Sequence, residues 1–238
     1  MNAPVMSTTQ STQLLISVTS IAEAKIALDN GADIIDVKDP STGALGALAT
    51  PQIKAIVSFV HEQNPINKKT TSATIGDIPM QPQLLLAHVL DLVTTGVDII
   101  KIGFFDSTDY QPCLDVLATL TQSGTKLMAV LFAEKNYPEK LVQSIKVAGF
   151  MGVMLDTAQK NGLTLLDYYS LDQRMAFAQQ VLRCQLQLGL AGSLQLQHIA
   201  IIKPLQPCYI GFRGGVCHYH QRQSGLDANK IQAIRKML

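Results

Sequence analysis

Asp36 and Lys38 stand two residues apart in Gly31-Ala32-Asp33-Ile34-Ile35-Asp36-Val37-Lys38-Asp39-Pro40, at the far end of an apolar run. On a strand, successive side chains point to opposite faces, so Asp36 and Lys38 share one face while Ile35 and Val37 share the other. A charged pair on a buried face is costly unless the two groups satisfy each other or a ligand. The phrase returns in Gly96-Val97-Asp98-Ile99-Ile100-Lys101-Ile102-Gly103, again with a lysine near its end. A lysine amine held neutral by desolvation or by a second cation attacks carbonyls to form a Schiff base, and carboxylates beside it shuttle protons or steady the iminium. Two such lysines therefore suggest carbonyl chemistry. A buried ion pair that only fixes packing is the competing reading. Recurrence of the phrase at Lys101, and of a carboxylate at Asp156, weighs against it.

Asp156 closes the run Val153-Met154-Leu155-Asp156-Thr157, and Lys160 follows on the outgoing loop. Asp77, in Ser72-Ala73-Thr74-Ile75-Gly76-Asp77, is a third carboxylate at a strand end and is expected to contact the substrate. Ala191-Gly192-Ser193 and Gly211-Phe212-Arg213-Gly214-Gly215 add glycines, a hydroxyl and a guanidinium. Glycine lets backbone N–H groups approach an anion and arginine grips it, so Gly192, Ser193, Arg213 and Gly214 are expected to cradle a phosphate. The glycines alone could serve tight turns. His218-x-His220 has a spacing two metal ligands could share, but no third ligand is evident in its polar surroundings, and a solvated loop is expected instead.

These residues need elements that bring strand ends together. Short apolar runs alternate with helical patterns eight times: the expected strands are 14–17, 34–38, 70–74, 99–103, 126–132, 152–156, 190–192 and 209–211. Eight alternations predict an α/β fold, a single (β/α)8 (TIM) barrel over residues 13–238, with chemistry at the carboxyl ends of the strands. Ser20 with Glu23 has capping-box spacing, Asn30-Gly31 suits a helix end, and Thr50 before Pro51 reads as an N-cap. Gly96, Gly124, Gly149 and Gly189 each stand where a helix should stop before the next strand. A doubly wound sheet would share the alternation, yet no Gly-x-Gly-x-x-Gly follows the first strand.

Length and composition agree. The 238 residues, 47% hydrophobic, suffice for one large core, and 16% charged residues is low, as buried parallel strands require. A net charge of +1 without a long basic block gives no footprint for nucleic acid or an anionic membrane. Four cysteines without Cys-x-x-Cys spacing fit a reduced, cytoplasmic chain. Residues 1–12 lack the basic and apolar regions of a signal peptide and read as a flexible tail. No apolar window approaches the roughly 20 residues of a membrane span. Barrels of this kind often associate, so a homo-oligomer is expected.

Taken in order, 33–40, 72–77, 100–103, 154–157 with Lys160, 191–193 and 211–214 resemble the (5-formylfuran-3-yl)methyl phosphate synthase family, also called 4-(hydroxymethyl)-2-furancarboxaldehyde phosphate synthase. The resemblance runs from about Leu14 to the C-terminus. It implies a lyase needing no metal or cofactor, which condenses two molecules of glyceraldehyde 3-phosphate into the furan aldehyde phosphate, with release of phosphate and water, for methanofuran-type cofactors. Carried over by motif, Lys38 is the Schiff-base lysine and Lys101 the proton acceptor. Asp36 and Asp156 are supporting carboxylates, and Lys160 faces a substrate phosphate. The segment 134–138, Glu-Lys-Asn-Tyr-Pro, departs from the family's pattern. Another Schiff-base triose-phosphate aldolase, or a non-catalytic phosphosugar-binding barrel, would share the lysines and the phosphate loops.

Overall fold

In a computed structural model of the chain, which describes residues 11–63, 69–159 and 161–238, eight parallel strands close into one barrel in sequence order. The strands are β1 (Gln13–Val18), β2 (Ile34–Val37), β3 (Thr70–Thr74), β4 (Ile99–Gly103), β5 (Leu127–Phe132), β6 (Gly152–Asp156), β7 (Gln187–Leu190) and β8 (Tyr209–Phe212). β8 pairs with β1 to complete the ring. The helices between them include α1 (Ile21–Asp29), α2 (Thr50–Gln63), α3 (Pro82–Val93), α4 (Gln111–Gln122) and α5 (Leu141–Val147). After β6 come the short α6 (Leu165–Tyr168) and α7 (Leu171–Arg183), then α8 (Ile199–Ile202), and α9 (Ala228–Arg235) closes the chain. No helix among the described residues is long and apolar enough to cross a membrane.

The period-2 alternation sorts side chains into two cores. Ile35, Val37, Ile100 and Ile102 point outward and pack with Val57, Leu85 and Leu114 of the helices. Leu15, Ile34, Ile99, Met128, Met154 and Tyr209 point inward and fill the barrel. Asp36 and Lys101 share the inward face, each two residues beyond an inward isoleucine, Ile34 and Ile99, so the alternation that fills the barrel also aims their charges into it. Lys38 lies just past β2, its N–H still donating to the Val18 carbonyl at 3.1 Å.

Helix stops fall where expected at Gly96, Gly124 and Gly149, whose φ of 76°, 95° and 81° lie in the left-handed region that glycine adopts without a Cβ clash. β7 differs from expectation. It spans Gln187–Leu190, not 190–192, because the preceding helix is stopped by Gln185 at φ 54°, leaving Gly189 inside the strand. There glycine serves packing: an added Cβ would lie 2.3 Å from the Tyr209 ring. Ser20 caps α1 through Glu23 N–H at 3.2 Å, but the Glu23 carboxylate does not close the box onto Ser20; it accepts from Thr19 N–H and hydroxyl at 2.8 and 3.0 Å. Thr50 is already the first residue of α2, and its hydroxyl donates to Asp91 on α3. Of the expected tail, residues 1–10 lie outside the described residues. Thr12 is buried and donates to the Pro207 carbonyl at 3.0 Å, so it belongs to the barrel.

Candidate active site

The parallel register sets Ser17 of β1, Asp36 of β2 and Ser72 of β3 side by side. Asp36 is fully buried and its carboxylate accepts three hydrogen bonds: Oδ2 accepts from Ser17 at 2.9 Å, and Oδ1 from Ser72 at 2.7 Å and from Lys101 Nζ at 2.6 Å. The direct ion-pair partner is therefore Lys101 and not, as the spacing suggested, Lys38. Two residues along a strand separate Asp36 from Lys38 by roughly 6.6 Å of rise. β3 lies between β2 and β4, and its Ser72 meets Lys101 at the same Asp36 oxygen. Burial alone would raise the Asp36 pKa, but the charges of Lys101 and Lys38, with hydrogen bonds from Lys101 and Ser72, outweigh it and hold the carboxyl below its ordinary value. The carboxylate thus stays ionised where two lysines need a counter-charge. Lys101 is 2% exposed and Lys38 7%.

Asp156 ends β6, nearly buried, with Oδ1 accepting from Thr157 N–H at 2.7 Å. Glu134, from the segment that departs from the family's pattern, accepts the N–H groups of Ala158 and Gln159 at 2.9 and 2.8 Å. It thereby fixes the outgoing loop beside Asp156. Lys160 lies outside the described residues. Gly192 (φ 104°) and Ser193 (φ 52°) turn the chain after β7, and an added Cβ on Gly192 would sit 2.9 Å from Thr157. Only glycine satisfies both demands there.

Lys38, Lys101, Asp36 and Asp156 line one cavity of about 270 Å³ at the carboxyl end of the barrel. Gly192, Ser193 and Gly214 line it too, so the expected lysines, carboxylates and phosphate loops do converge. A cavity just under the ~300 Å³ lower range of ligand pockets suits small metabolites. Two expected binders behave otherwise. All five Arg213 N–H groups are taken inside the protein: Nε by the Arg222 carbonyl at 2.7 Å, Nη1 by the Ser17 carbonyl at 3.0 Å and Glu23 Oε2 at 2.5 Å, and Nη2 by Glu23 Oε1 at 3.1 Å and the Ser224 carbonyl at 3.2 Å. A guanidinium has five donors, so Arg213 ties loops together and has none to spare for an anion. Asp77 accepts from the N–H groups of Ala44 and Leu45, each at 2.8 Å, and so shapes the loop after β2; it does not line this cavity.

Sequence reasoning missed Glu23, Glu134 and Arg222. Glu23 carried a capping signal that masked its long-range pairing. Arg222 lay in the stretch read as a solvated loop, yet it and His220 line the cavity. His218 instead approaches Asp227 at 3.7 Å.

The 4-HFC-P synthase family model matches residues 14–235. A Methylorubrum extorquens protein provisionally named (5-formylfuran-3-yl)methyl phosphate synthase is 38% identical over 226 residues, covering 94% of this chain and 91% of that one. The (5-formylfuran-3-yl)methyl phosphate synthases of Methanococcus maripaludis and Methanocaldococcus jannaschii are 32% and 31% identical over 236 residues, covering 94% of this chain and 98% of theirs. Among solved structures, phosphoribosyl anthranilate isomerase from Thermus thermophilus superposes with a TM-score of 0.66 at 14% identity, over 95% of this chain and 98% of that one. A 3-keto-L-gulonate-6-phosphate decarboxylase from Vibrio cholerae gives 0.65 at 11%, over 95% and 96%. At such identities these two speak for the fold alone.

Proposed function

The chain belongs to the 4-HFC-P synthase family, and on that premise we propose that it condenses two glyceraldehyde 3-phosphate molecules into (5-formylfuran-3-yl)methyl phosphate through a Schiff base on Lys38. The observation that carries this reading is the convergence of two buried lysines on one ionised carboxylate at the mouth of the barrel. Lys38 attacks the carbonyl carbon of the first triose, and the carbinolamine loses water to give an iminium. Lys101, an ammonium in its pair with Asp36, gives a proton to the departing hydroxyl. Now neutral, it takes the α-proton that the iminium has made acidic, leaving an enamine. Asp36 holds Lys101 in place and balances whichever lysine is charged. The enamine carbon bonds to the aldehyde of the second triose, whose carbonyl oxygen takes a proton.

Elimination of one phosphate, ring closure, hydrolytic release of Lys38 and dehydration then give the aromatic furan. The balance is one phosphate and two waters per product. Asp156, at the opposite side of the mouth, serves as the second proton carrier. Triose phosphates place this work in the cytoplasm, supplying a methanofuran-type one-carbon carrier.

Incubation of the full chain with glyceraldehyde 3-phosphate should release inorganic phosphate and build a near-ultraviolet absorbance, with the furan aldehyde phosphate identified by mass spectrometry. Saturable binding without phosphate release would instead favour a phosphosugar-binding barrel. A different condensation product would favour another Schiff-base aldolase.

A further inference from the structure

After β8 the chain turns back on itself. Cys217 and Leu226 form an antiparallel bridge, and His218 N–H donates to the Gly225 carbonyl at 3.0 Å, so residues 217–226 make a hairpin over the mouth. Its tip holds Tyr219 and His220 in succession at φ 54° and 57°. Left-handed backbone is unfavourable for a non-glycine residue, so surrounding contacts must impose the turn. One such contact is the buried Glu23–Arg213 pair. Arg213 holds the hairpin by its Arg222 and Ser224 carbonyls, while Glu23 anchors Arg213 to the first turn of α1.

The Arg222 side chain lines the cavity that holds Lys38, Lys101 and Asp156, as Arg213 does, but it is not tied down as Arg213 is. Among the described residues its guanidinium makes one hydrogen bond, from Nη2 to the Gly43 carbonyl at 3.2 Å. Burial, helped by the Arg213 charge, pulls its pKa below the ordinary value against the opposing charges of Asp156, Asp39 and Asp77. A partly buried guanidinium with most of its donors unspent can meet two oxygens of a doubly charged phosphate with parallel N–H donors. Ser193 and Gly214 line the same cavity from the neighbouring loops.

We propose that Arg222 is the arginine that grips a substrate phosphate, delivered over the barrel mouth by a hairpin that the Glu23–Arg213 pair locks in place. The assignment deepens the triose-phosphate reading and rests on it for the identity of the ligand. The Gly43 contact links Arg222 to the loop following Lys38, so phosphate capture and the Schiff-base strand meet at one side chain.

Calorimetric titration of the full chain with inorganic phosphate tests this without turnover. Arg222→Gln should weaken phosphate binding at least tenfold, and Arg222→Lys severalfold, since an ammonium keeps the charge but loses the fork. In turnover assays the same variants should raise KM for the triose phosphate far more than they lower kcat. Thermal midpoints are read alongside; if Arg222→Gln unfolds early, Arg222→Lys carries the comparison. Phosphate affinity equal to wild type in the folded variant would overturn the assignment, as would a wild-type protein that binds no phosphate. A wild type that binds phosphate through Arg222 but makes no furan would overturn the proposed reaction and leave Arg222 in place.

Discussion

Asp36 sets the electrostatics of the site: one carboxylate accepts two serine hydroxyls and a lysine, and carries the charge of a second lysine nearby. Replacing it with Asn would leave Lys101 buried without its counter-charge. Loss of one partner of a buried pair costs about 3–5 kcal/mol, so Asp36→Asn should lower the urea midpoint by that equivalent and abolish turnover. The sign of the pH dependence follows from the lowered folded pKa. Asp36 stabilises the fold fully above its unfolded pKa, near the ordinary 3.8, and that contribution drains away as pH falls through the lower folded value. The gap in stability between wild type and Asp36→Asn, followed by denaturation from pH 7 downward, should therefore hold constant to about pH 5 and close only in stronger acid. The sequence made Asp36, Lys38 and Lys101 legible because strand alternation aims charges as surely as it aims isoleucines. It could not tell which lysine meets Asp36, since Lys101 lies on a strand that is not adjacent to β2 and meets Asp36 only across the closed barrel.

At the level of elements, α1 and the hairpin after β8 are joined by a contact between residues 190 positions apart. Glu23→Gln would remove the negative partner of a buried guanidinium that also holds two hairpin carbonyls. We expect a loss of about 3 kcal/mol in denaturation, at the low end for a broken buried pair because the amide can still accept one hydrogen bond. Phosphate affinity should fall with it, as the hairpin loosens and Arg222 loses its placement. A Glu23→Gln protein that kept both stability and phosphate affinity would show the pair to be idle. Nothing local announces such a contact, which is why Arg213 looked like the phosphate arginine and Glu23 like a helix cap. The β7 boundary was misplaced for a related reason: Gly189 resembles a helix stop, while its actual constraint is the Tyr209 ring on the next strand.

The whole molecule is the part most open to sequence reading. Eight apolar runs, each separated by a helical pattern and most by a glycine, closed into the barrel they implied. Closure then brought strand ends from across the sequence to one cavity. The barrel alone does not choose a reaction, as its likeness to an isomerase and a decarboxylase makes plain. What distinguishes this chain is the pair of lysines with one buried carboxylate, within a family of furan phosphate synthases. The central claim is that Lys38 becomes covalently bound to substrate. Borohydride reduction in the presence of glyceraldehyde 3-phosphate, followed by peptide mass spectrometry, reads that bond directly: a reduced triose adduct on Lys38 is the predicted result. An active enzyme with Lys38 unmodified, or with the adduct on Lys101, would contradict it.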